Sequence, residues 1–159
     1  MVQILGVYDV PLRRRFRGLT RRDGVILRGA AGHAEFSPFW DYDAAESSSW
    51  LLAALEAAEL GVPEPVRSRV PVNVTVPAVD AALAHEIVRA SGGCTTAKVK
   101  VAEHGQTLGE EIARVEAVRD ALGPQGRVRI DVNARWTLEE ARAKVPALDR
   151  AAGGLEYAE

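Results

Sequence analysis

A single cysteine, Cys94, stands among 159 residues. That excludes an internal disulfide framework and a cysteine-built zinc site. Net charge is also scarce: 20 Lys and Arg against 22 Asp and Glu leave −2. There is thus no general electrostatic attraction to nucleic acid or to an anionic membrane. No uninterrupted apolar run approaches the ~20 residues that cross a bilayer. Residues 1–6 lack a basic stretch followed by a long apolar one, so nothing argues for secretion. The expectation is a reduced, cytoplasmic setting with no nucleic-acid and no membrane partner. Lysine is the last scarcity. It occurs only as Lys98, Lys100 and Lys144, and the other 17 basic residues are arginine. Two of the three lysines lie two apart within an apolar run, and that placement needs a local reason.

What is present is 47% hydrophobic residues, enough to build a core. Residues 2–7, 25–28 and 32–36 read as short strands of an antiparallel meander with Gly and Asp-Gly punctuation. Between the first two lies a basic segment, residues 13–22, which ends at Asp23-Gly24. It is either a solvated hairpin or a flap that meets an anionic ligand. Asp43 and Glu46 have capping-box spacing, and a helix follows until Gly61. Residues 61–71 hold three prolines and no periodic pattern, which marks a domain boundary.

Beyond it the pattern alternates between strand and helix. Residues 70–76, 95–101, 128–132 and 155–159 are expected strands. Helices begin at Asp80 and at the capping boxes Thr107/Glu110 and Thr137/Glu140. Pro146 is expected to kink or end the last helix early. Such alternation indicates βαβ units with a parallel sheet, in a small doubly wound sheet or in a (β/α)8 barrel. An eight-stranded barrel takes roughly 250 residues, so the ~90 after residue 70 suffice for about four strands. The chain stops on Glu159 in mid-strand, and the expectation is the N-terminal part of a longer protein.

Lys98 and Lys100 leave one face of their strand, while Val99 and Val101 take the face that meets helices. Two adjacent ammonium groups repel, and burial disfavours charge, so both effects are expected to lower a lysine pKa towards general-base use. The alternative is an edge strand with two solvated lysines. Asp131 ends an apolar strand on the edge where parallel α/β folds keep their sites. It is either a site carboxylate or the start of a loop. Glu159 ends the next strand, with Glu156 three residues earlier and expected on the other face. Two carboxylates at successive strand ends suit a hard cation such as Mg2+, which could stabilise an enolate while a lysine moves the proton.

Residues 96–101 (Thr-Ala-Lys-Val-Lys-Val), 129–133 (Arg-Ile-Asp-Val-Asn) and 155–159 (Leu-Glu-Tyr-Ala-Glu) resemble the enolase superfamily in order and spacing. Within it, the nearest likeness is to the o-succinylbenzoate synthase family of the actinobacterial type. Residues 15–18, 35–39 and 70–78 resemble that family too. The resemblance implies an α+β capping domain over residues 1–68, a three-stranded meander plus a helix. Residues 69–159 would be the first part of a (β/α)8 TIM barrel. It implies Lys100 as the acid/base lysine, Lys98 as its electrostatic partner, and Asp131 and Glu159 as the first two Mg2+ ligands. The implied reaction is a dehydration in menaquinone biosynthesis, with a proton removed α to a carboxylate. The basic loop, with Arg17, Arg21 and Arg22, would close over a small-molecule dicarboxylate substrate. The family also needs a third carboxylate ligand and a second lysine on later strands, so negligible turnover is expected from these 159 residues alone. Two alternatives remain, an N-acylamino-acid racemase of the same superfamily and a non-catalytic half-barrel. The half-barrel would pair with another chain, or with itself, through open strand edges.

Overall fold

The computed structural model describes residues 1–159, which divide into two units, Met1–Ser68 and Arg69–Glu159. In the first, β1 (Gln3–Phe16), β2 (Leu19–Arg28) and β3 (His33–Phe36) form an antiparallel sheet in that order, followed by α1 (Ala44–Leu60). The Asp43 carboxylate caps α1 by accepting from the Glu46 N–H at 2.8 Å, and Gly61, at φ 80°, ends it. The core here is small: Leu27, Ala54 and Ala58, flanked by Val25, Ala34, Phe36 and Leu55.

The basic segment is not a loop. Five of its six arginines lie on the two arms of one long hairpin, and the sixth, Arg17, makes the turn with Gly18, closed by the Phe16–Leu19 pair. Both turn residues have positive φ, 50° and 80°, the backbone that a two-residue hairpin needs to match strand twist. Asp23-Gly24, the stronger turn signal in the sequence, instead pairs with Asp9 and Tyr8 in mid-strand. The glycine is there because the Tyr8 ring lies across it. A Cβ at Gly24 would sit 2.6 Å from the Tyr8 hydroxyl oxygen.

In the second unit, β4 (Val74–Val76), β5 (Thr96–Lys100), β6 (Arg127–Asp131) and β7 (Leu155–Ala158) form a parallel sheet in sequence order. They are linked by α2 (Ala81–Arg89), α3 (Leu108–Leu122) and α4 (Leu138–Ala151). Sequential order without reversal is the arrangement of a (β/α)8 barrel, whereas a doubly wound sheet reverses at a switch point. One face of the sheet carries Val76, Ala97, Val99, Val128 and Ile130. They pack with Ala84 and Val88 of α2, Val115 and Val118 of α3, and Leu148 of α4. Each of these larger side chains contributes ~1.5–3 kcal/mol on burial.

Three expectations change here. The strand expected over residues 70–76 shrinks to Val74–Val76, because Val70 and Val72 are exposed with no partner strand and Pro71 has no N–H to donate. Pro146 lies inside α4, which continues to Ala151. The packing of fully buried Leu148 and Ala152 beyond it outweighs the lost N–H. Finally, β7 carries one extra residue. Val128 pairs with Leu155 but Arg129 pairs with Tyr157, so Glu156 sits in a bulge.

Candidate functional site

Parallel register brings Thr75 beside Lys98, Lys98 beside Arg129, Lys100 beside Asp131, and Arg129 beside Tyr157. Residues level in register share a face, so the side of the sheet away from the helices is polar where the other is apolar. At its C-terminal edge the expected four residues meet. Lys98 Nζ lies 3.0 Å from Asp131 Oδ2 and 3.3 Å from Glu159 Oε2. Lys100 Nζ donates to the same Asp131 oxygen, and to Asn133 Oδ1 at 2.9 Å. Asp131 Oδ1 accepts from the Asn133 N–H at 2.9 Å. Asp131 is 2% exposed and Lys100 9%, whereas Glu159 lies open. Two ammonium groups thus face two carboxylates in a quartet of zero formal charge.

The electrostatics correct one expectation. Burial pushes the Lys98 pKa down, but hydrogen bonds and attraction from Asp131 and Glu159 outweigh it and hold the group above the ordinary lysine value. The sequence shows the neighbouring ammonium but not the carboxylates that fold in front of it. For Asp131, burial pushes the pKa up. Donors from Lys100, the Asn133 N–H and Lys98 reverse that and keep it below the usual carboxylate range.

Under the quartet lies a second polar layer. Arg129 donates to Glu156 at 2.5 Å and to Asn73 Oδ1 at 3.2 Å, and its guanidinium stacks 4.9 Å from the Tyr157 ring centre. Arg127 reaches Glu156 at 3.2 Å. Glu156 was expected to face away from Glu159. The bulge turns it to Arg129, which shares the Lys98 face. Asn133 is the residue of the quartet's surroundings that spacing alone did not assign. Its positive φ of 50° and its place two residues after Asp131 are the local signal.

The three hairpin arginines expected to meet a substrate, Arg17, Arg21 and Arg22, diverge. Arg17 stacks 4.1 Å from the Phe39 ring centre and reaches the Tyr42 hydroxyl at 3.4 Å. Arg21 pairs with Asp9 at 2.7 Å. Arg22 donates to the Ser37 carbonyl and hydroxyl, both at 2.5 Å, and to the Pro38 carbonyl at 3.3 Å. Neighbouring strand residues point to opposite faces, so Arg21 and Arg22 cannot act on one small ligand by the same route.

A family model described as enolase N-terminal domain-like matches residues 7–58, and one described as enolase C-terminal domain-like matches residues 80–159, half of the chain. The chain belongs to the enolase superfamily. Among curated relatives, the o-succinylbenzoate synthase of Thermobifida fusca is 59% identical over 152 residues, covering 96% of this chain and 47% of the relative. That of Mycolicibacterium smegmatis is 44% identical over 159 residues, covering 100% and 48%. The enolase-superfamily chain thus spans about half the length of the curated relatives it matches. Among solved structures, a substrate-liganded L-Ala-D/L-Glu epimerase from Bacillus subtilis aligns with TM-score 0.72 at 21% identity, over 99% of this chain and 60% of that one. An o-succinylbenzoate synthase from Thermosynechococcus elongatus, complexed with Mg in its active site, aligns with TM-score 0.60 at 22% identity over the same shares. At these identities the structures speak to the fold: a capping unit followed by part of an α/β barrel. No helix of the chain is long and apolar enough to cross a membrane.

Proposed function

We propose that this chain is the N-terminal portion of a Mg2+-dependent o-succinylbenzoate synthase. That enzyme would dehydrate 2-succinyl-6-hydroxy-2,4-cyclohexadiene-1-carboxylate in the cytoplasm during menaquinone biosynthesis. The observation that carries the reading is the meeting of Lys98, Lys100, Asp131 and Glu159 on one strand edge, in a chain 59% identical to a curated synthase.

The donor set fits a hard cation in part. Asp131 and Glu159 offer oxygens, the ligands Mg2+ prefers, and the two carboxylates already share one cation, the Lys98 ammonium. No group of three His, Cys, Asp or Glu side chains gathers in the chain, so Asp131 and Glu159 would be two ligands of a larger set. When bound, the metal would stabilise the negative charge that builds on the substrate carboxylate as the α-proton leaves.

The chain's own residues would do the rest. Lys100 Nζ, entering the step as the neutral amine, takes the proton from ring carbon 1 and becomes an ammonium. The electron pair left behind forms the double bond to carbon 6, whose hydroxyl departs as water with the proton that Lys100 hands on, and the ring becomes aromatic. Lys98, kept protonated by Asp131 and Glu159, holds positive charge beside the carboxylate as it gains electron density. Asn133, on Lys100 and on the Asp131 loop at once, sets the angle of the Lys100 amine. In the first unit, Arg21 is the most exposed of the three hairpin arginines and the better candidate for a substrate carboxylate. Arg17 is held by Phe39, Tyr42 and Asp41, and Arg22 by Ser37 and Pro38, so both would act mainly within that unit.

The test joins residues 1–159 to the second half of the Thermobifida fusca relative and follows loss of the cyclohexadiene. The fusion should turn over, and the 159-residue chain alone should not. Lys100→Ala should reduce kcat by ~10²–10⁴, the range of a lost acid/base group. Full turnover by that variant would refute the role of Lys100. Racemisation of N-acylamino acids without dehydration would refute the lyase.

A further inference from the structure

Helix α3 buries two charged side chains as well as its apolar stripe. Glu111 is 4% exposed and Arg114 1%, and three residues apart they lie on one side of the helix. A buried guanidinium is destabilising unless its N–H groups are met, and here they are. Arg114 Nε donates to the Val79 carbonyl at 2.5 Å, Nη1 to the Lys100 carbonyl at 3.1 Å, and Nη2 to Gln106 Oε1 at 2.6 Å. Gln106 in turn donates to the Ala78 carbonyl at 3.2 Å. Glu111 accepts from the Ala102 N–H at 2.5 Å, at a residue held at φ 61°. The Ala102 carbonyl takes a donor from Arg135 at 3.2 Å, and Arg135 pairs with Glu103 at 3.1 Å.

The segments that follow β4, β5 and β6 are therefore stitched together from one helix face, with the backbone of Lys100 at the centre. An apolar side chain would fill the same space without burying charge. What the guanidinium adds is direction, because its rigid fork can fix three acceptors at once. We propose that Arg114, seconded by Glu111, is a positioning residue for Lys100. It holds the end of β5 so that the amine stays aimed at Asp131 and Asn133, without itself touching substrate. The inference rests on the acid/base reading of Lys100.

The test uses the fusion of residues 1–159 with the second half of the Thermobifida fusca relative. Arg114→Met should lower kcat by roughly 10²-fold, as a misplacement of about 1 Å does, with KM nearly unchanged. Arg114→Lys should recover part of the loss. Val118→Ala, on the same helix but touching only core, should lower the melting temperature while leaving kcat within about twofold, since it removes no contact to Lys100. Equal losses of kcat in the Met and Val118 variants would overturn the proposal, as would unchanged kcat in the Met variant. Amide hydrogen exchange gives a reading independent of turnover. Arg114→Met should speed exchange at Val101 and Ala102 with little change in α4, and an unaltered rate there would sink the clamp. If the unvaried fusion fails to dehydrate, the lyase reading falls, and exchange still decides for or against the clamp.

Discussion

Replacing Asp131 with alanine probes the candidate site without any assay of activity. The Asp131 carboxylate is almost fully buried and accepts from Lys98 at 3.0 Å, from Lys100, and from the Asn133 N–H at 2.9 Å. Its removal leaves two ammonium groups side by side, one of them on the nearly buried Lys100. Breaking a buried pair from one side costs ~3–5 kcal/mol, because the orphaned charge has lost its solvent and its partner. Lys98 is only partly buried and keeps Glu159, so the lower end of that range, ~3 kcal/mol, is expected. A second substitution, Lys100→Met, should restore at least half of the loss, since the two sites are coupled and removing both leaves one paired lysine. Urea unfolding of the wild type and the two variants measures this. The pH dependence has a definite sign. The lowered Asp131 pKa means its contribution is complete above the unfolded value of ~3.9 and fades as pH falls below it. The raised Lys98 pKa means its contribution holds below ~10.4 and is lost at higher pH. The acid limb should therefore flatten in Asp131→Ala. A single variant losing under ~1 kcal/mol, or a double variant no more stable than the single, would refute the ion-pair reasoning.

Gly24→Ala should destabilise the first unit by ~1 kcal/mol, because the new methyl would force the Tyr8 ring away and break its hydrogen bond to Glu35. Tyr8→Ala in the same chain should abolish the effect, and thermal unfolding of the three variants checks it. Pro146→Ala should raise the urea midpoint by ~1–2 kcal/mol equivalent. It restores an N–H inside α4, offset in part by a freer unfolded chain. A lower midpoint would mean that the ring packs in a way the helix needs.

Much of this protein was legible because short-range rules bind tightly. The Thr107 and Thr137 boxes need only three residues each and formed in full, with Glu110 and Glu140 reaching back to the cap N–H. The alternation of Lys98, Val99, Lys100 and Val101 was enough to put valines with the helices and lysines on the polar face. Asp131 and Glu159 could be singled out from strand-end position, but position left Asp131 equally readable as the start of a loop, and only the family resemblance assigned the pair a role. The hairpin was misread at Asp23-Gly24 because the glycine serves Tyr8, a residue 16 places away in the chain and directly across the sheet.

The rest depended on which backbones lie beside each other. Glu156 faces Arg129 only because β7 carries one extra residue against β6, and no local pattern announces a bulge. Arg114 and Glu111 would pass for solvated charges on an amphipathic helix until the loops around Lys100 close over them. Lys98 holds its proton more firmly than an isolated lysine pair would suggest, because two carboxylates from neighbouring strands stand within hydrogen-bonding reach. Periodicity and caps act over one or two turns, so the order of residues determines them. Charge, by contrast, is decided by whatever comes within a few ångströms after folding, and that distance has no counterpart along the chain.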